Sequence, residues 1–100
     1  MGSVDRVIIW TEPAKKDIKT ITFYWNSRNK SNVYSILLRK IIRQKLLLVT
    51  KFPLLGTQSD YRSARCFVIN DYKLFYEVTE NAIIVLRFWD SHQNPEALVI

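Results

Sequence analysis

Four cations and the one histidine of this chain fall in its last forty residues: Arg62, Arg65, Lys73, Arg87 and His92. Lys and Arg side chains set among apolar strand residues can bind phosphate and stabilise charge that builds on it during a reaction. An imidazole nearby can give or take a proton near neutral pH. Together such groups suggest a surface built to meet phosphate. Trp89, two residues after Arg87, adds a ring that could stack on a base. A plainer reading stands beside this one. Lys73 can pair with Glu77 along its own strand face, and a histidine after a strand is most often a turn residue. One cysteine, Cys66, and one histidine fall short of a zinc ligand set.

The elements that must position these residues are legible from spacing. From Tyr61 to Pro95 the chain reads as three strands, with Asn70-Asp71 and Glu80-Asn81 as two-residue hairpin loops. Upstream, Arg6 to Trp10 (RVIIW) predicts an opening strand. Thr11, Glu12 and Pro13 make an N-cap and first turn. Ala14, Ile18, Ile21 and Trp25 then mark one face of a helix ending near Asn29. Phe23, Tyr24 and Trp25 read as core and helix–helix packing. Ser31 or Asn32 caps a second helix through about Val49. There Val33, Leu37 and Ile41 combine with Tyr34, Leu38 and Ile42 into a broad apolar face. Arg39, Lys40, Arg43 and Lys45 lie on its other side, a wet face that could also meet phosphates. Phe52-Pro53 to Gly56 ends that helix, and Gly56 to Asp60 is a polar loop.

The expected fold is therefore α+β, two N-terminal helices packed on one face of a small, mostly antiparallel sheet. Period-two alternation puts Tyr72, Leu74, Tyr76 and Val78 against the helices and Lys73, Phe75, Glu77 and Thr79 outward. In the last strand Ile84, Leu86 and Phe88 form one set, and Ile83, Val85, Arg87 and Trp89 the other. Arg62 and Arg65 have opposite parity, so one of them joins Lys73 and Arg87. The expectation is an open sheet face with at least three cations.

One hundred residues fit one domain spanning residues 1–100, and a formal charge of +6 favours anionic partners. A single cysteine excludes a disulfide framework and fits a reducing compartment. No apolar run is long enough to span a bilayer, and residues near the N-terminus lack a signal-peptide layout. A cytoplasmic protein with no membrane partner is expected.

The order of elements, the Phe52-Pro53 to Gly56 break, the NDYKLFYEV hairpin and the FWDSHQNP ending resemble the RelE/ParE superfamily of bacterial toxins. The resemblance implies the toxin half of a type II toxin–antitoxin pair, neutralised by a cognate acidic antitoxin and needing no cofactor. RelE-like members cut mRNA in the ribosomal A site, as endoribonucleases or mRNA interferases. ParE-like members act on DNA gyrase without that catalytic set. Carried over by position, Lys73 stands for the hairpin arginine and His92 for the arginine beyond the last strand. Ala64 and Cys66 occupy two lysine positions, where Arg62 or Arg65 could compensate through a bulge, and Leu98 falls near a tyrosine position. The nuclease reading thus assigns Lys73, His92 and Arg65 to catalysis and Arg62, Arg87 and Trp89 to RNA binding. Ribosome-dependent mRNA cleavage is slightly favoured over gyrase inhibition, with a catalytically inactive antitoxin-binding member as a third reading.

Overall fold

The computed structural model describes residues 6–61, 63–93 and 97–98. Its elements follow the order strand β1 (Val7–Trp10), helix α1 (Glu12–Asn29), helix α2 (Val33–Lys51), then strands β2 (Thr57–Gln58), β3 (Arg65–Ile69), β4 (Tyr72–Val78) and β5 (Ala82–Asp90). One five-stranded sheet has the order β1-β5-β4-β3-β2; β1 runs parallel to β5 and the other pairings are antiparallel.

Thr11 caps α1 as its sequence position implies. Its Oγ1 accepts the Ala14 N–H at 3.2 Å, leaving one fewer orphan amide at the helix start. The same hydroxyl donates to the Val85 and Leu86 carbonyls, so the cap also ties α1 to β5. Lys30, in left-handed conformation (φ 49°), ends α1, and its N–H returns to the Asn26 carbonyl. The helices are clasped near this turn, where Ser35 Oγ contacts Asn26 and the Thr22 carbonyl. At the far end of α2, Gly56 packs where no side chain fits. A Cβ there would lie 2.8 Å from both the Cys66 carbonyl and the Tyr76 hydroxyl. That hydroxyl accepts the Gly56 N–H at 2.8 Å and donates to the Pro53 carbonyl at 2.9 Å.

Both hairpin loops fall where expected, with Ile69 opposite Tyr72 and Val78 opposite Ile83. The core forms between the helices and Phe67, Ile69, Tyr72, Leu74 and Tyr76 of the sheet, joined by Ile83, Val85 and Phe88.

Three expectations are corrected. First, a bulge shifts the register between β4 and β5: Phe75 pairs with Arg87 but Tyr76 pairs with Val85, skipping Leu86. Parity switches there, so Ile83 and Val85 face the helices on one side of the bulge and Phe88 on the other. Second, Phe75 is 3% exposed although it lies on the outward face, because Tyr61 packs edge-on against it at 5.3 Å. Third, α2 does not bury its whole apolar arc. Leu38, Ile42, Leu46 and Val49 enter the core, whereas Val33, Ile36, Leu37, Leu47 and Leu48 stay exposed. The opening strand begins at Val7, and a two-residue strand, β2, lies in the expected polar loop, paired with β3.

Candidate functional site

The structure separates the residues that the sequence grouped. Arg65 pairs with Tyr76, and alternation along β3 puts it on the helix-side face together with Phe67 and Ile69. Its guanidinium is committed to backbone: Nε and Nη2 donate to the Gly56 carbonyl at 2.9 and 2.7 Å, and Nη2 reaches the Leu54 carbonyl at 3.3 Å. Arg65 therefore holds the α2–β2 connection and is not an open-face cation. The expected role of Arg62 lies outside the described residues.

Arg87 follows a different path to a similar end. Its register opposite Phe75 is outward, but β1 stops at Trp10 and leaves the second half of the β5 edge unpaired. Asp17 of α1 fills that gap. The carboxylate accepts Arg87 Nε at 2.7 Å and Nη2 at 2.9 Å, and the Phe88 N–H at 3.0 Å. Both side chains are largely shielded, 16% and 14% exposed. The hydrogen bond to Asp17 raises the Arg87 pKa despite the burial that opposes it. The guanidinium also lies 5.1 Å over the Trp89 ring. Asp17 carried no signal in the sequence, because nothing in helix periodicity says that an i+6 carboxylate after the cap will meet a sheet edge.

Lys73 remains an exposed cation with no hydrogen bond or ion pair among the described residues. It stands over a cleft of about 360 Å³ on the open face, whose lining includes Tyr61, Cys66, Phe75, Trp89 and Leu98. Burial pushes the Cys66 thiol pKa up, and the Lys73 charge partly offsets that rise. The Trp89 Nε1 is buried without a hydrogen-bond partner among the described residues. His92 lies elsewhere. It is exposed in the turn after β5, its N–H donates to Asp90 Oδ1 at 2.9 Å, and its Nε2 is 3.6 Å from Asp71 Oδ1. It borders the larger groove, about 1080 Å³, between α1 and the end of β5. Trp89 and Gln93 touch both clefts, but Lys73 lines only the first and His92 only the second.

Of the aromatic cluster of α1 only Trp25 packs as expected; Phe23 and Tyr24 are exposed, because they point away from both α2 and the sheet. Trp25 Nε1 donates to the Tyr72 hydroxyl at 2.7 Å, and its ring meets Tyr34 at 4.9 Å. Burial raises the Tyr72 phenol pKa, the Trp25 bond opposes the rise, and Tyr34, Asp90 and Asp71 add to it. No group of three or more His, Cys, Asp or Glu among the described residues could hold a metal ion. No helix is long and apolar enough to cross a membrane, again among the described residues.

A helical pair laid on one face of this mixed sheet, with β1 returning parallel beside β5, defines a RelE/ParE-like α+β toxin fold. The chain belongs to the ParE toxin family of type II toxin–antitoxin systems (parDE), whose family model matches residues 8–95. Its fold is similar to a chain of the chromosomal ParDE TA system from P. aeruginosa, with TM-score 0.72 and 15% identity over 85% of this chain and 95% of that one. It is also similar to a chain of the RelBE2 toxin–antitoxin complex of Mycobacterium tuberculosis, with TM-score 0.62, 14% identity and coverage of 87% and 99%. A chain of the E. coli DinJ-YafQ complex aligns with TM-score 0.54, 18% identity and coverage of 87% and 93%. No curated protein matches the sequence. At these identities the solved structures speak to fold alone.

Proposed function

We propose that this toxin arrests growth by binding and inhibiting a protein target, DNA gyrase, and that it does not cleave mRNA. The observation that carries this reading is the Asp17 clamp on Arg87. Phosphoryl chemistry needs preorganised cations aimed at the reacting phosphate. Here one candidate arginine is neutralised by a carboxylate and another is spent on the Gly56 and Leu54 carbonyls. Lys73 and His92 border different clefts, so these two candidates do not bracket one phosphate. Membership of the ParE family adds support from an independent direction. A cognate acidic antitoxin is the expected partner, in keeping with the toxin–antitoxin complexes among the similar structures.

Induced expression, with gyrase supercoiling and primer extension on a translated reporter followed together, tests the proposal. Loss of supercoiling with messages initially intact is expected. Ribosome-dependent cuts with supercoiling unaffected would overturn it.

One observation favours the nuclease as a second reading: Lys73 is exposed beside Trp89, whose indole N–H is unpartnered among the described residues. In that reading Lys73 binds phosphate, Trp89 stacks on a base and His92 supplies a proton. Lys73→Ala with His92→Ala would then abolish toxicity, whereas the gyrase reading expects the double variant to remain toxic.

A further inference from the structure

Helix α2 buries one side and leaves an apolar arc bare on the other. Leu38, Ile42, Leu46 and Val49 enter the core. At about 3.6 residues per turn, the opposite side presents Ile36, Leu37, Lys40, Gln44, Leu47 and Leu48. All six are exposed, and the four aliphatic side chains keep 44–59% of their surface open. A contiguous aliphatic patch of this kind marks a contact with another molecule.

The order of residues along this arc reads alike in both directions from Ile42. Ile36 and Leu37 stand six and five positions before it, Leu48 and Leu47 six and five after. Lys40 and Gln44 stand two before and two after. A second α2 laid antiparallel, with a two-fold axis at Ile42, therefore sets Ile36 against Leu47 of the second copy and Leu37 against Leu48. Lys40 meets Gln44 of the second copy, an ammonium donor facing an amide oxygen, and the symmetry makes that pair twice. Neither side chain has a hydrogen bond of its own among the described residues. At the ends, the Lys51 stem lies over Val33 of the second copy and its charge stays in water.

We propose that two copies of this chain associate through α2, antiparallel and two-fold symmetric. An interface between identical copies has to be self-complementary, and the outward arc of α2 is. Covering it removes on the order of 700 Å² per copy from water, close to the ~800 Å² per partner of a standard specific interface. An acidic peptide or an anionic lipid surface would use the apolar groups and the lysines, but neither calls for an order that repeats about its own centre. No residue of α2 lines the cleft beside Lys73 or the groove at the β5 edge, so the pairing stands whichever target the toxin has.

Charge sets how the pair responds to salt. From Ile18 to Ser59 the sequence has eight Lys or Arg and no Asp or Glu. Arg43, one position from the axis, flanks the arc, so association brings two guanidinium groups near each other. Salt screens that repulsion, and the pair tightens as salt rises. A complex with an acidic partner would weaken instead.

Sedimentation of the full chain from about 1 to 200 µM, in about 0.05 and 0.5 M salt, tests the proposal. Reversible doubling of the mass is expected, at lower concentration in high salt. Leu37→Gln/Leu47→Gln should weaken association at least tenfold while melting as the wild type does. Gln44→Lys, which sets cation against cation, should weaken it similarly, whereas Thr20→Lys adds the same charge on α1 and should not. If the Leu37→Gln/Leu47→Gln chain fails to fold, the comparison of Gln44→Lys with Thr20→Lys decides. A monomer throughout, a dimer indifferent to these α2 substitutions, or one loosened by salt would overturn the proposal. So would a chain that stays monomeric and binds anionic phospholipid vesicles through Leu37 and Leu47.

Discussion

Asp17 does three jobs with one carboxylate: it pairs the Arg87 guanidinium through two nitrogens and accepts the Phe88 N–H. With Ala at this position, a largely shielded guanidinium loses its counter-ion and a strand-edge amide loses its acceptor. Asp17→Ala should therefore cost about 3–5 kcal/mol of stability in urea unfolding, the range for stripping one member of a buried pair. Asp17→Ala/Arg87→Met should recover most of that loss, because the stranded charge goes with its partner. If the single variant unfolds like wild type, the clamp contributes nothing. The sequence exposed the cations but not their commitments. Lys73 was legible as an outward strand residue because period-two alternation fixes it. Arg65 and Arg87 were not, since a long guanidinium chain is placed by what it finds, here the Gly56 carbonyl and a helix carboxylate seventy residues away in sequence.

At the scale of elements, the α2–β2 connection is pinned through Gly56 and Tyr76. The Tyr76 side chain is fully buried and its hydroxyl joins the Gly56 N–H to the Pro53 carbonyl. Gly56→Ala would drive a methyl against the Cys66 carbonyl, which is backbone and cannot swing aside. A cost of about 1–3 kcal/mol is expected from that overpacking. Tyr76→Phe should cost a similar amount, about 1–3 kcal/mol, by leaving the buried Gly56 N–H without its acceptor. Thermal unfolding of each variant measures both, and a Gly56→Ala protein as stable as wild type would show that the connection can shift. The helices, the Thr11 cap and both hairpin loops were legible because each has a local cause, whether a side-chain acceptor, a 3.6-residue repeat or a two-residue turn; Asn32, at the start of α2, makes no side-chain cap bond. The bulge at Leu86 was not, because alternation counts residues and assumes an unbroken ladder. Strand β2 was also hidden, as two exposed polar residues form a strand only when β3 is beside them.

For the whole molecule, stability should fall on the alkaline side in two steps set by groups that folding buries. Burial raises the Cys66 thiol pKa above its ordinary value, and burial likewise raises that of the Tyr72 phenol. An acid with a raised folded pKa keeps its proton in the native state after the unfolded chain has released it. The native state then binds more protons, so unfolding free energy declines as pH rises. For Cys66 the decline begins near the unfolded thiol value, about pH 8.5, and for Tyr72 near about pH 10. Below about pH 8 neither group titrates in either state and both contributions are flat. Arg87 adds no slope in this window, because its pKa is raised still further from an ordinary value beyond it and the guanidinium stays protonated in both states. Denaturant unfolding from pH 7 to 11 reads the profile directly. Cys66→Ala should remove the first decline and Tyr72→Phe the second, while Lys73→Met should deepen the first by removing the cation that favours the thiolate. A Cys66→Ala profile that still falls between pH 8 and 9.5 would assign the first step to another group.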